Sequence, residues 1–391
     1  MSPKFEEPAT RIYPIIRLLA SFLLMTVGTV AMYVGIVALK PIATEFGISR
    51  SIGSLPYALF MIGYGIGNIL HGKLADRYGT MVPALIGSVS LPAGLIISAY
   101  AENIWQFFIA ISVLAGALGS SAVFAPIIAD ISHWFTARRG LAVSIVLSGS
   151  YFAGAIWPPI LQMLIDIDGW RYAFVTVAYI CLAIMLPLTL LLYRKPQHLI
   201  TGHEGSREGQ YKRPLGLAPN VLQCILCMAG IGCCVGMSMP QVHIVAYATD
   251  LGFSAQRGAE MLSIMLGCGI ISRLVSGWIS DQIGGLRTLL LGGGLQVLVL
   301  FAFLIVDSMT MLYIVSACFG LSQGGIVPSY AIIVRTYFPA REAGWRIGLA
   351  LFFTIVGMAI GGWFAGLLYD LTGSYTISFV NAIGFNGLNF I

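Results

Sequence analysis

The sequence predicts an all-α, multi-pass membrane protein of twelve transmembrane helices, arranged as two pseudo-symmetric six-helix bundles with both termini in the cytoplasm. Three observations carry that expectation. Apolar residues fill 58% of the 391 positions and charged residues 9%, against about half and a quarter in an ordinary soluble domain. Apolar runs long enough to cross a hydrocarbon core, about 20 helical residues, recur along the whole chain. Three polar motifs of the first half return in the second at nearly one offset.

The runs fall at 15–39, 54–72, 81–100, 104–132, 140–164 and 172–193, then at 219–248, 258–280, 286–306, 310–337, 346–368 and 375–391. The first is too long for a signal-peptide core and has no small-residue cleavage site, so it reads as a retained span. Between the sixth and seventh lies the longest polar stretch, 194–217. It reads as a cytoplasmic linker between a bundle at 1–193 and a bundle at 218–391.

Alternating the loops between two sides puts sixteen of the 21 Lys and Arg on the N-terminal side and four, Lys40, Arg50, Arg171 and Arg257, on the other. Cationic loops stay in the cytoplasm. Arg273 belongs to neither side. The net charge of +5 sits on the cytoplasmic rim against anionic lipid, and no Lys/Arg block interleaved with aromatics points to nucleic acid. The seven cysteines lie inside runs, and Cys224 with Cys227 has no second pair or nearby histidine. They read as packing residues, with no metal or cofactor expected. No nucleophile and base at catalytic spacing points to an enzyme.

GKLADRYG at 72–79 is echoed by GWISDQIG at 277–284, displaced by 205. WFTARRG at 134–140 is echoed by YFPAREAG at 337–344, and DGWRYAF at 168–174 by TGSYTISF at 372–379. On Gly72, Asp76, Arg77 and Gly79, with the echo Gly277, Asp281 and Gly284, the chain resembles the major facilitator superfamily over essentially its whole length. The stretch 134–149 is similar to the fifth-span signature of the monocarboxylate transporters and their oxalate/formate-exchanging relatives. Phe135, Arg138, Arg139, Leu141, Ala142, Ile145 and Gly149 meet it, with Ala137 where lysine is usual. Arg273, Gly277 and Asp281 meet their eighth-span pattern R-x-x-x-G-x-x-x-D.

The resemblance implies the major facilitator fold and a monomeric secondary transporter of the plasma (inner) membrane. It would work by alternating access on a small carboxylate, with a proton or a second anion as co-transported or exchanged partner. It also implies that Arg273 receives the substrate carboxylate and that Asp76, Arg77, Asp281, Arg138 and Arg139 serve the cytoplasmic gate.

The residues themselves agree that Arg273 is unusual. A charged side chain at mid-helix costs about 3 kcal/mol on insertion scales. Its helix face reads Leu262, Leu266, Gly269, Arg273, Gly277 and Ser280, with no carboxylate one turn away. The planar fork of a guanidinium matches a carboxylate with two hydrogen bonds. The other reading is an ion pair across helices, with Asp130 as the best partner and Glu260 or Asp250 nearer the outer end.

Polar stripes on other spans are candidates to line the same cavity: Tyr33; Tyr64 and Asn68; Tyr151; Gln241, His243 and Tyr247; Gln323 and Tyr330. Such stripes equally serve as glue between helices. His243, after Pro240, is a candidate to carry a proton, or is a neutral imidazole bonded to a neighbouring helix. Within the resemblance, Tyr33 stands where proton-coupled animal members have lysine and Gly269 where they have aspartate. Thr354 stands where dicarboxylate exchangers have a second cation, which favours a monovalent anion. Dicarboxylate exchange and efflux of hydrophobic, drug-like compounds remain the alternatives. Gly357 with Gly361 and Gly362 with Gly366 predict close helix packing on the eleventh span.

Overall fold

The structure is a computed structural model that describes residues 8–135, 139–194, 217–306, 308–338 and 340–390, and every regular element among them is helical. In lipid a backbone must satisfy its own polar groups, which a helix does within one segment. The helices are α1 (Pro8–Gly28), α2 (Val30–Val37), α3 (Leu39–Glu45), α4 (Arg50–Tyr78), α5 (Met81–Ala99), α6 (Ile104–Ile109), α7 (Ala125–Trp134), α8 (Arg139–Leu190), α9 (Pro219–Asp250), α10 (Ala255–Ile283), α11 (Gly285–Ile305), α12 (Met309–Gln323), α13 (Ile326–Tyr337), α14 (Ala340–Thr372) and α15 (Thr376–Gly387).

Ten helical stretches among the described residues are long and apolar enough to cross a bilayer. One of them, Ala142–Leu190, has 49 residues, more than two crossings require. It is interrupted at Asp168 (φ −150°, ψ 31°) and Gly169 (φ 78°, ψ 175°), a left-handed φ that glycine adopts without a Cβ clash. The expected fifth and sixth runs therefore meet at that bend. The expected run at 375–391 is an α-helix only over the 12 residues Thr376–Gly387. It tightens to a 3₁₀ turn at Leu388–Phe390 and falls short of a crossing.

Contacts divide the chain into two compact units. The first comprises Met1–Ala31, Gly63–Ala153 and Arg171–Gly202, and the second Met32–Ile62, Gly154–Trp170 and His203–Ile391. The linker expected at 194–217 lies outside the described residues over 195–216.

In the first unit the fourth span is irregular. After α6 it widens to a π-helical stretch, Ala110–Gly119, tightens to a 3₁₀ turn, Ser120–Val123, and restarts as α7 beyond the non-helical Phe124 (φ −104°, ψ −83°). Gly63 and Gly67 of α4 lie so near this stretch that a Cβ would strike the carbonyls of Ser112 and Ala117. In the second unit, α9 is the most enclosed element, packed by α14, α10 and α15. Gly357 and Gly361 let α14 approach it, since a Cβ at Gly357 would stand 2.6 Å from the Ile231 carbonyl oxygen. Of the two glycine pairs expected on the eleventh span, Gly357 with Gly361 makes this seam, while Gly362 and Gly366 face Tyr57, Ser54 and Arg50 of α4.

Candidate functional site

Arg273 lies four residues past the middle of the 29-residue α10, about 6 Å along the axis at 1.5 Å per residue. Facing it, the tenth span is interrupted: α12 ends at Gln323 and α13 starts at Ile326, with Gly324 and Gly325 between them. The glycines let the backbones touch. A Cβ on Gly324 would lie 2.5 Å from the Gly269 carbonyl oxygen and 2.6 Å from the Arg273 amide nitrogen. Ser272 fastens the crossing, donating its hydroxyl to the Leu321 carbonyl (2.6 Å) and accepting from the Gly324 amide (3.2 Å).

This crossing gathers positive potential. The N-cap residue of α13, Gly325, has no side chain to offer, and the first amides of a half-helix with its dipole make a positive end. Gln323, fully buried, accepts from Gln241 Nε2 (2.5 Å), and its own Nε2 has no acceptor. The Arg273 backbone, the start of α13 and the Gln323 amide lie along this crossing.

The other expected residues divide among different neighbourhoods. Tyr33 is buried in α2 with its hydroxyl against Gly154, beside Leu266 of α10. Tyr330 is fully buried in α13 and hydrogen-bonds Cys233 of α9. His243 joins a different cluster. Its Nε2 donates to the Gly362 carbonyl (2.8 Å) and its Nδ1 lies 3.0 Å from Tyr375 Oη. The carbonyl fixes the proton on Nε2, so Nδ1 accepts from the tyrosine. Tyr247 packs edge-on against Tyr375 and Phe379.

In the first unit, Tyr64 sits edge-on against Phe124, with ring centroids 5.4 Å apart, and Asn68 Oδ1 accepts from the Ala125 amide (3.3 Å) at the start of α7. Tyr151 is half-buried in α8. Of the expected gate residues, Arg77 is exposed and stacks on Tyr78, and Asp281 is exposed near the end of α10. The side chains of Asp76 and Arg139, and the whole of Arg138, lie outside the described residues.

The carboxylates weighed as partners for Arg273 are engaged elsewhere. Asp130 takes Arg17 in a two-pronged pair of 2.6 and 2.7 Å, with Arg17 1% and Asp130 5% exposed. Thr80 adds a hydrogen bond to Asp130 (3.1 Å), and the Arg17 guanidinium stacks over Trp134. Asp250 receives Lys40 (2.6 Å) and both terminal nitrogens of Arg50 (2.5 and 2.8 Å). Glu260 receives Arg257 and Tyr313.

Sequence reading missed the cluster around Arg50. Besides Asp250, Arg50 donates to Tyr375 Oη (2.8 Å) and stacks over Tyr369, while Asp370 accepts the Arg50 and Ser51 amides (2.9 and 2.7 Å) at the start of α4. The signal was present: two of only four cations on the sparsely charged side share one acid. His71 of α4, at the end of the second run, is buried, with Nδ1 3.0 Å from Ser121 Oγ. That hydroxyl already donates to the Ala117 carbonyl, so the imidazole donates to it.

A family model described as Major Facilitator Superfamily matches residues 18–344 and 224–391. Monocarboxylate transporter 13 of Rattus norvegicus is 27% identical over 337 residues, covering 85% of this chain and 76% of the relative. Riboflavin transporter MCH5 of Saccharomyces cerevisiae is 26% identical over 335 residues, covering 78% of this chain and 63% of the relative. Among solved structures, a bacterial homologue of the human lysosomal transporter Spinster, inward-facing and unoccupied, matches with a TM-score of 0.73 at 14% identity. The match covers 98% of this chain and 95% of that one, a likeness of fold.

Proposed function

The chain belongs to the Major Facilitator Superfamily, in its monocarboxylate-transporter-like branch, and on that premise we propose that it carries a small monocarboxylate, bound through Arg273, by alternating access. It is an integral multi-pass membrane protein and a transporter of small organic substrates, not an enzyme. Cytoplasmic termini follow the cation bias of the loops; residence in the plasma membrane and a twelfth span, of which α15 is the described part, complete the reading.

The observation that carries it is the crossing of α10 with the interrupted tenth span. What supports the reading is that the Arg273 backbone lies against Gly324 there, next to Gln323, whose Nε2 has no acceptor, and to the start of α13. Hydrogen bonds to a charged group contribute about 1.5–3 kcal/mol each, so a two-pronged carboxylate gives selectivity over a neutral isostere. A dicarboxylate would call for a second cation, and Thr354, at the register where exchangers have one, is buried with its hydroxyl on the Leu351 carbonyl. Efflux of cationic drugs would favour a buried acid.

The cluster of Lys40, Arg50, Asp250, Asp370, Tyr375 and His243 fits a latch at the outer ends of the spans. His243 then acts through Tyr375 and not on the substrate.

Counterflow of a labelled monocarboxylate in proteoliposomes tests the assignment. Arg273→Lys and Arg273→Ala should lose about 100-fold or more in initial rate, two charge-assisted bonds' worth. Either variant transporting at the parental rate contradicts it.

A further inference from the structure

The second unit holds more than the second half of the chain. It also takes in 32–62 and 154–170, which are α3, parts of α2 and α4, and the portion of α8 that runs to its bend. These lie toward the cation-poor side, the outer side by the charge rule. Three seams fasten them to the second half. At the rim, Asp250 binds Lys40 and Arg50. Along α14, a Cβ on Gly366 would stand 2.8 Å from Ser54 Oγ, and one on Gly362 2.8 Å from the Tyr57 ring. Along α10, Ser263 donates to the Ala155 carbonyl, and Leu266 packs against Gly154 beside Tyr33. In a transporter that works by alternating access, such seams part when the outer side opens.

One group in the α14 seam opposes closure. Tyr57 is 2% exposed, and its hydroxyl is enclosed without a hydrogen-bond partner. A hydroxyl that gives up water on burial and gains no partner is destabilised by the loss. Tyr57 stands seven residues into α4 from Arg50, about 10 Å along the axis. Arg273 stands eighteen residues into α10 from Ala255, about 27 Å along its own axis. The tyrosine is therefore on the outer side of the carboxylate anchor, where a gate would close over it.

We propose that the Tyr57 hydroxyl is the release element of the outer gate. Closing the seam strands it and opening returns it to water. The free energy it loses on closure offsets part of what the Asp250 ion pairs and the glycine packing contribute, so that the gate does not lock shut. The proposal rests on the alternating-access reading and names a residue that sets its balance.

Ser54→Cys puts a thiol into the α14 seam at a position 1% exposed. Its labelling by a charged maleimide, in detergent and above the rate of the chain without that thiol, reads how often the seam opens. In that background Asp250→Asn should speed labelling by about tenfold or more. Tyr57→Phe, which keeps the ring and removes one oxygen, should slow it about tenfold, or about 1.4 kcal/mol. A ring that serves packing alone leaves the rate where it was. Unslowed labelling in Tyr57→Phe, with Asp250→Asn faster, overturns the role of the hydroxyl and leaves the gate standing. No acceleration in Asp250→Asn overturns the gate, and this proposal with it. Should Ser54→Cys not fold, hydrogen exchange over 50–62 carries the same test: it should be slower in Tyr57→Phe than in the parent, and equal exchange overturns the proposal.

Discussion

In the first unit α4 lies against an irregular fourth span, and in the second α10 lies against an interrupted tenth span 205 residues on, so Asn68 stands at the register of Arg273. Both crossings bring backbones together through small residues, Gly63 and Gly67 in one, Gly320 and Gly324 in the other. Both restart a half-helix inside the span. They differ at that restart. Asn68 gives its Oδ1 to the first amide of α7, whereas α13 starts behind Gly325, which has no side chain, and Arg273 stands on the facing helix at the register of Asn68. The repeat conserves a backbone device, and the chemistry placed on it differs: a neutral cap closes one half-helix, and a cation adds to the positive end of the other.

The arginines sharpen the contrast: Arg17 is buried and Arg273 half-buried. Arg17 is answered within its unit by Asp130, so Asp130→Asn should strand a buried cation and cost about 3–5 kcal/mol. That would be read as loss of folded protein or a fall in unfolding temperature. Restoration by Arg17→Met with Asp130→Leu would mark the pair as structural. Arg273→Asn, which copies the first crossing onto the second, should leave unfolding nearly unchanged while monocarboxylate counterflow drops about 100-fold, or about 2.7 kcal/mol. Unfolding of that variant like Asp130→Asn would erase the distinction.

Smaller effects probe the backbone device. Gly324→Ala puts a Cβ 2.5 Å from the Gly269 oxygen, an overpacking of about 1–3 kcal/mol. Because the displaced strand of contacts includes the Arg273 amide, transport should fall by about tenfold. Asn68→Ala removes one bond to a half-helix terminus, about 1 kcal/mol. It should lower the unfolding temperature by a few degrees and leave the transport rate within about threefold.

How much of this was legible follows from what leaves a local mark. Hydropathy marks spans, so the first eleven runs correspond to helices, while the bend at Gly169 was marked by its polar DGWR. Arg273 was visible because a cation inside an apolar run has no local explanation. Arg17 was not, since it sits at the edge of a run and meets Asp130 only across 113 residues. The Arg50 cluster joins residues 200 to 325 apart, beyond any helical periodicity. The π-helical and 3₁₀ turns of the fourth span follow from packing against Gly63 and Gly67, and composition carries no trace of them. His243 was placed in the right span with two roles open, a proton carrier or a neutral imidazole bonded to a neighbouring helix; both of its nitrogens are bonded, one of them to the Gly362 carbonyl of α14.

Thermal unfolding of the purified chain against a monocarboxylate and its neutral primary amide, on the parent and on Arg273→Gln, tests the central claim most directly. The account predicts that the acid raises the unfolding temperature of the parent, that the amide does not, and that Arg273→Gln responds to neither. Equal stabilisation by the amide, or an undiminished response to the acid in Arg273→Gln, would contradict it.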